Sequence, residues 1–285
     1  MKVKVDSNGK INIGLNIVGK LENGYHLLDM TMHPITLSDK LTIEIFLENG
    51  ILEITTNKVD IPTGKSNILF KIYDAFYKKT KLSKRRIEIY LEKIIPHQAG
   101  LGGGSSNGAT FLKILNSYYN DILTIDEMIE LGKNIGADIP FFILNKSSRV
   151  KGIGEDLEEI KNNIDAKIII IKPNFGVSTQ KAYGNYKKIS QIKMANIDEI
   201  IKNLDKENIE ELEKHIENNL EESLLIDDEN IIKFKEKLKA FKNIKFFMSG
   251  SGSSYFGFLL KDIEESCSKL QEEFKNCEIF ICNFK

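Results

Sequence analysis

The residues best suited to chemistry form a run of glycines and serines, Gly100-Leu101-Gly102-Gly103-Gly104-Ser105-Ser106, a short distance after Pro96. Glycine lets backbone N–H groups approach a ligand and permits positive φ angles. The run separates an alternating, strand-like segment at 86–91 from an amphipathic helical segment at about 105–119. Because a helix start presents unpaired N–H groups, this arrangement favours a polyphosphate ligand. The alternative is a glycine-rich connector whose serines and Asn107 only cap the helix.

The glycine run lacks the defining residues of three common nucleotide sites. No lysine follows the glycines, as a P-loop requires, and Asn107 stands where the dinucleotide motif needs its third glycine. The sequence also lacks the combined glycine loop, lysine strand and catalytic motifs of protein kinases. The predicted phosphate site therefore belongs to another class.

Two charged residues are candidates for catalysis of phosphoryl transfer, which needs positioning, charge neutralisation and a group that takes the alcohol proton. Asp138 lies just before Pro140 at a predicted helix start, where an aspartate can also serve only as a cap. Lys10 opens an apolar strand, where a lysine is often a solvated strand end. From the residues alone, both interpretations stay open.

Four segments together resemble the GHMP kinases, the family of galacto-, homoserine, mevalonate and phosphomevalonate kinases. Residues 96–106 are similar to its ATP-binding motif, and residues 248–257 to its C-terminal glycine motif. Residues 136–142 resemble the segment that carries a catalytic aspartate, and Lys10 to Ile13 with Gly24-Tyr25-His26 resembles the N-terminal motif of one member. The match extends from residue 10 to residue 257. Ser253-Ser254 and His97-Gln98-Ala99 depart mildly from the family pattern.

The resemblance implies ATP as phosphoryl donor, with Mg²⁺ arriving on the nucleotide, and Lys10 and Asp138 as the catalytic pair. It implies a small-molecule substrate, a cytidine diphosphate-linked methylerythritol, because Tyr25 and His26 would recognise cytosine. Tyr25 and His26 could otherwise be surface aromatics at a turn, and Lys93 a solvated lysine. The residues implied for ATP are Pro96, Gly100, Leu101, Gly102, Gly103, Gly104, Ser105, Ser106, Lys93 and Asn67; those for substrate are Asn12, Tyr25, His26, Tyr183, Gly250 and Gly252.

Two other functions remain as alternatives. Another member of the family would act on mevalonate derivatives or homoserine, although a cytosine-recognition segment has no use there. A binding protein with this fold but without turnover is the second alternative, and the presence of both Lys10 and Asp138 argues against it.

The pattern along the chain predicts an α+β fold in two lobes, residues 1–160 and 161–285. The resemblance implies a ribosomal protein S5 domain 2-like N-terminal lobe and a ferredoxin-like C-terminal lobe. Periodicity predicts strands at 10–17, 40–46, 51–54, 86–91, 167–172, 244–248, 254–260 and 278–283, and helices at 68–79, 105–119, 126–134, 137–144, 198–203, 207–219, 229–240 and 262–274.

Composition excludes some partners without choosing a substrate. The 285 residues include 40 basic and 41 acidic side chains, a net charge of −1, so no overall field selects nucleic acid or an anionic membrane. No segment approaches the roughly 18 apolar residues of a spanning helix. His33 and His215 match no metal-ligand spacing, so we predict no protein-built metal site. We expect a cytoplasmic monomer or homodimer.

Overall fold

The computed structural model describes residues 1–186, 192–241, 244–260 and 263–285. They form two compact units, each assembled from separate stretches of chain. Strands β1 (Lys2–Lys20) and β2 (His26–Asn49) contribute residues to both. The first unit comprises residues 1–9, 38–95 and 102–145, and the second comprises residues 10–37, 96–101 and 146–285. A domain boundary between residues 160 and 161 stays a prediction.

The sheet of the first unit is centred on β4 (Arg85–Glu92). This strand pairs antiparallel with the second half of β2 and parallel with β3 (Leu52–Thr56). Its alternate residues Ile87, Ile89 and Leu91 are buried, as the period of two predicts. The strand predicted at 51–54 therefore forms, with β4 as its neighbour.

The helices of the first unit bury the apolar stripes seen in the sequence. Leu69, Ile72 and Phe76 of the first helix are buried, as are Phe111 and Leu112 of the second. The second helix begins at Gly103, two residues before its predicted start. The four helices are α1 (Ile68–Thr80), α2 (Gly103–Tyr118), α3 (Ile125–Lys133) and α4 (Ile139–Leu144).

The second unit contains an antiparallel sheet in the order β10-β7-β9-β8, formed by β7 (Lys167–Lys172), β8 (Phe247–Met248), β9 (Tyr255–Leu259) and β10 (Glu278–Cys282). Ile168 to Ile171 of β7 are fully buried, as their continuous apolar run predicts. The prediction of a strand over 244–248 was too long, because only its last two residues pair with β9.

Two further strands of this unit, β5 (Ser148–Gly152) and β6 (Asp156–Glu159), were not predicted. They pair with each other, and β5 also pairs with the first half of β2. The signal was weak because charged residues outnumber apolar ones in both strands. Pairing with β2, a long-range effect, therefore overrides a poor local pattern.

Among the remaining helices, one prediction was wrong. The sequence predicted a single helix over 207–219, but the structure has two short helices there, α7 (Ile209–Leu212) and α8 (Asn219–Leu224). Asn208 and Asn218 interrupt the pattern because each side chain accepts a hydrogen bond from the first turn of the helix that follows. The other helices are α5 (Thr179–Asn185), α6 (Ile197–Asp205), α9 (Glu229–Ala240) and α10 (Ile263–Glu273). Over the described ranges, no helix is long and apolar enough to cross a membrane.

Candidate active site

The glycine run leads into a helix that starts without a side-chain cap. Gly102 is the N-cap residue of α2, at φ 69°, a left-handed conformation that glycine adopts without strain. Because Gly102 has no side chain, the first-turn N–H groups of α2 have no capping oxygen from it. A Cβ placed on Gly104 would meet nothing within 4 Å, so this turn borders open space. Such a helix start fits an anion.

The two serines of the run are in different surroundings. Ser106 is buried, and its Oγ accepts a hydrogen bond from Ser7 Oγ at 2.8 Å. Ser105 is partly exposed. Of the two hydroxyls, that of Ser105 is therefore the more accessible to a ligand.

Asp138 is the N-cap residue of α4, but its side chain makes no capping hydrogen bond. Its backbone is in the right-handed helical region, at φ −86° and ψ −5°, whereas a capping aspartate usually has extended backbone angles. The interpretation of Asp138 as a structural cap is therefore wrong. Its carboxylate is partly exposed.

Lys93 and Asn67, both implied for the ATP site, have structural partners in the first unit. Lys93 is only 7% exposed and its Nζ donates to Asp39 Oδ2 at 2.6 Å, so the alternative of a solvated lysine is wrong. Asn67 caps α1 by accepting from Leu69 N at 2.9 Å, and its amide donates to Pro62 O at 2.6 Å. Contact of either residue with ATP stays a prediction.

Lys10 lies in a buried polar cluster of the second unit. It is 4% exposed, and its Nζ donates to Asn12 Oδ1 at 2.5 Å, so it is not a solvated strand end. A Cβ placed on Gly250 would lie 3.1 Å from both of these side-chain atoms. The C-terminal glycine motif therefore packs directly against Lys10 and Asn12.

In the second unit, the first residues of the glycine run also contact the C-terminal glycine motif. A Cβ on Gly100 would come within 2.0 Å of Ser249 O, so only glycine fits there. Ser249 Oγ donates to Gly100 O at 3.1 Å, and Ser254 N donates to Ala99 O at 3.3 Å. Packing of the two motifs, rather than ligand approach, therefore explains Gly100.

His26, one of the residues implied for cytosine, contacts two tyrosines at α5. His26 stacks on Tyr183, with ring centroids 5.1 Å apart and planes inclined by 24°. Tyr25 is 61% exposed, which leaves its ring available to a ligand. Tyr186 meets His26 edge-on at 6.0 Å and donates from its hydroxyl to Ile17 O at 2.9 Å. Sequence reasoning missed Tyr186, although its spacing of three from Tyr183 on a helix would have indicated it.

Comparisons with known proteins show which family the chain belongs to. Residues 67–146 match the model of the GHMP kinases N-terminal domain, and residues 200–276 match that of the C-terminal domain. A 4-diphosphocytidyl-2-C-methyl-D-erythritol kinase of Fusobacterium nucleatum is 44% identical over 99% of this chain and 97% of its own length. The protein of the same name in Clostridium acetobutylicum is 35% identical over 98% of this chain and 99% of its own. The chain belongs to the GHMP kinase family.

Solved structures of the family confirm the α+β GHMP kinase fold. The crystal structure of a 4-(cytidine 5'-diphospho)-2C-methyl-D-erythritol kinase superposes with a TM-score of 0.80, at 23% identity and 99% coverage of both chains. A homoserine kinase from Cytophaga hutchinsonii gives 0.74 at 13% identity, covering 99% of this chain and 95% of its own. Since members with different acceptors share the fold at such low identity, the fold alone does not choose the substrate.

The family fold leaves the individual roles to be tested. Lys10 lies in the second unit and Asp138 in the first, and the pairing of the two stays a prediction of the resemblance. Within the described ranges, no group of three or more His, Cys, Asp or Glu residues could hold a metal ion. GHMP kinases use ATP, and the start of α2 without a side-chain cap can accept an anion such as a phosphate group.

Proposed function

We propose that this chain is a kinase that transfers the γ-phosphoryl group of ATP to the 2-hydroxyl of 4-diphosphocytidyl-2-C-methyl-D-erythritol, a step of non-mevalonate isoprenoid synthesis. The assignment of this substrate rests on the 44% identity, over nearly the whole of both chains, to a 4-diphosphocytidyl-2-C-methyl-D-erythritol kinase. Gly24-Tyr25-His26 and the stacked His26–Tyr183 pair support a site for cytosine. Stacking on a base contributes about 1–3 kcal/mol per base in other proteins.

The donor side of the reaction uses the start of α2. Its first-turn N–H groups and the positive end of the helix dipole would hold the phosphates of ATP, and the partly exposed Ser105 is the more accessible of the two serines. Mg²⁺, bound to the nucleotide, would supply charge neutralisation at the transferred group.

On the acceptor side, Asp138 would take the proton of the 2-hydroxyl as its oxygen attacks the γ-phosphorus. The O–P bond to the substrate forms as the bond from the γ-phosphorus to the bridging oxygen of ADP breaks. Lys10 would stabilise the negative charge that develops during transfer. Its buried position and its bond to Asn12 hold the ammonium in one place. We place the enzyme in the cytoplasm, as a monomer or homodimer.

Replacement of Asp138 by asparagine tests the catalytic role. Asp138→Asn keeps the size of the side chain but removes the proton acceptor, so kcat should fall by a factor of about 10²–10⁴ while ATP affinity stays within about twofold. Steady-state ADP release and calorimetric titration of ATP measure the two quantities. Asp126→Asn, an exposed aspartate in the first turn of α3, is the control and should leave both unchanged. A kcat close to that of the unaltered protein would remove Asp138 from the mechanism.

The substrate is tested with three acceptors assayed in parallel, the cytidyl substrate, mevalonate and homoserine. We expect acceptor-dependent ADP release with the first alone. Release with mevalonate or homoserine alone would favour another family activity, and no release with any acceptor would favour a binding protein without turnover.

A further inference from the structure

Asp39 is a fully buried carboxylate that the reaction described above does not use. Its Oδ1 accepts hydrogen bonds from Ile94 N and Ile95 N, both at 2.8 Å, and its Oδ2 accepts from Lys93 Nζ at 2.6 Å. Hydrogen bonds to an ionised acceptor are short and stronger than neutral ones. One side chain therefore fixes three consecutive residues at the end of β4.

The first of those residues, Lys93, is held a second time through its backbone. Lys93 N donates to Asn57 Oδ1 at 2.8 Å, and Asn57 Nδ2 donates to Lys93 O at 3.3 Å. Asp39, Asn57 and Lys93 all belong to the first unit. The segment 93–95 thus has little freedom immediately before the chain continues to Pro96 and the glycine run.

This fixed segment supports the start of α2. A Cβ placed on Gly103 would lie 3.0 Å from Lys93 Nζ and 3.0 Å from Ile95 Cγ2. Both side chains therefore pack closely against the first residue of the helix, also in the first unit. An unpaired cation at the positive end of a helix dipole is unfavourable, and the carboxylate of Asp39 offsets it.

We propose that Asp39, acting through Lys93 and the Ile94 and Ile95 amides, is a positioning residue for the phosphate-binding turn of α2. The proposal rests on the proposed function, in which that turn holds ATP. The proposal assigns the Asp39–Lys93 pair to the phosphate end of the nucleotide and not to its nucleoside end. Loss of Asp39 should then weaken binding of phosphates and leave binding of the nucleoside unchanged.

The test separates the two ends of the nucleotide by using inorganic tripolyphosphate and adenosine as competitive inhibitors of ATP. Asp39→Asn keeps an acceptor for the two amides but turns an N–H group toward the Lys93 ammonium. We expect the Ki of tripolyphosphate and the KM for ATP to rise about tenfold, from the loss of one charge-assisted bond. The Ki of adenosine should stay within about twofold. A rise in the adenosine Ki equal to that of tripolyphosphate would overturn the proposal.

A double variant tests the geometry rather than the charge. With Asp39→Asn and Lys93→Gln together, the two introduced side-chain amides can hydrogen-bond to each other. The affinity for tripolyphosphate should therefore return toward that of the unaltered protein. This variant also carries the test if Asp39→Asn alone fails to fold. A folded double variant that still binds tripolyphosphate tenfold more weakly would overturn the proposal, because Lys93 would then contact the phosphates itself.

Two controls distinguish a failure of the Asp39 proposal from a failure of the proposed function. Asp74→Asn breaks an exposed ion pair with Lys84 in the same unit and should change neither Ki. If the unaltered protein binds neither ATP nor tripolyphosphate, the proposed function fails, and the role of Asp39 fails with it. If the unaltered protein binds both and Asp39→Asn matches it, only the role of Asp39 fails.

Discussion

The starts of α2 and α3, two helices of the same unit, are built in opposite ways. At α3, Thr124 Oγ accepts from Glu127 N and the Glu127 carboxylate accepts from Thr124 N, the reciprocal arrangement called a capping box. At α2, the N-cap residue is Gly102 and no side chain caps the first turn. The first arrangement satisfies the helix from within the protein, whereas the second leaves donors for a ligand.

The same division extends to other helices whose starts the structure describes. Asparagine or aspartate side chains cap α1, α6, α7, α8 and α9. Of α4 and α5, by contrast, neither has a side-chain cap, although Asp138 and Ser178 occupy the N-cap positions. α2 and α4 begin in segments that resemble family motifs, and α5 contains Tyr183, which the resemblance implies for substrate.

The largest effect should follow from placing a charged side chain at the start of α2. Gly102→Asp places a carboxylate where we propose the ATP phosphates bind, and aspartate tolerates the left-handed backbone better than most residues. Repulsion at contact distance near a protein surface is about 4 kcal/mol, so the KM for ATP should rise by at least 100-fold. Steady-state kinetics measure this.

Gly102→Asn is the matched control, since it adds a side chain of equal size without charge. Its effect on the KM for ATP should be about ten times smaller than that of the aspartate. Equal effects of the two variants would mean that shape, and not the charge of a bound phosphate, decides the result, and the contrast between α2 and α3 would lose its functional meaning.

Removal of the α3 cap should change stability and not activity. Thr124→Ala loses the hydroxyl that accepts from Glu127 N at 3.2 Å, which should lower the free energy of unfolding by about 1 kcal/mol. The melting temperature would fall by about 2–4 °C, measured by circular dichroism. Thr124→Ser keeps the hydroxyl and is the control. A change in kcat or in the KM for ATP beyond twofold would show that α3 does not belong to the purely structural class.

Sequence reasoning was most successful where the signal is local. The helix predicted at 68–79 and the alternation of β4 are each encoded within about a dozen residues, and both are present in the structure. The fold and the family followed from short motifs in the expected order. The wrong prediction of one helix over 207–219 overlooked a signal that is also local, since Asn208 and Asn218 are residues that favour caps.

Sequence reasoning failed to predict contacts between residues that are far apart in the sequence. Asp39 contacts Lys93 across 54 positions, and nothing near Asp39 in the sequence indicates that partner. Asn218 caps α8 and also donates to Met248 O and Gly250 O, both at 2.9 Å. The stacking of His26 on Tyr183 is equally remote in sequence. Such contacts depend on the tertiary fold, which periodicity does not specify.

The smallest predicted effect is a pH dependence confined to the capped helix. Hydrogen bonding to Thr124 N, and then the Lys79 side chain, lowers the pKa of Glu127 from its ordinary value of 4.5. Because the folded-state pKa is the lower one, the ionised carboxylate stabilises the protein above pH 4.5, and this contribution is lost as the pH falls through the folded-state pKa. Glu127→Gln keeps a capping amide but cannot ionise. Urea unfolding of both proteins from pH 6 to pH 3 should therefore give a stability difference that narrows toward acid, and that is smaller at high salt because Lys79 and Glu127 are both exposed. A difference that is constant with pH would assign the cap to shape alone, and the charge of Glu127 would then have no part in distinguishing α3 from α2.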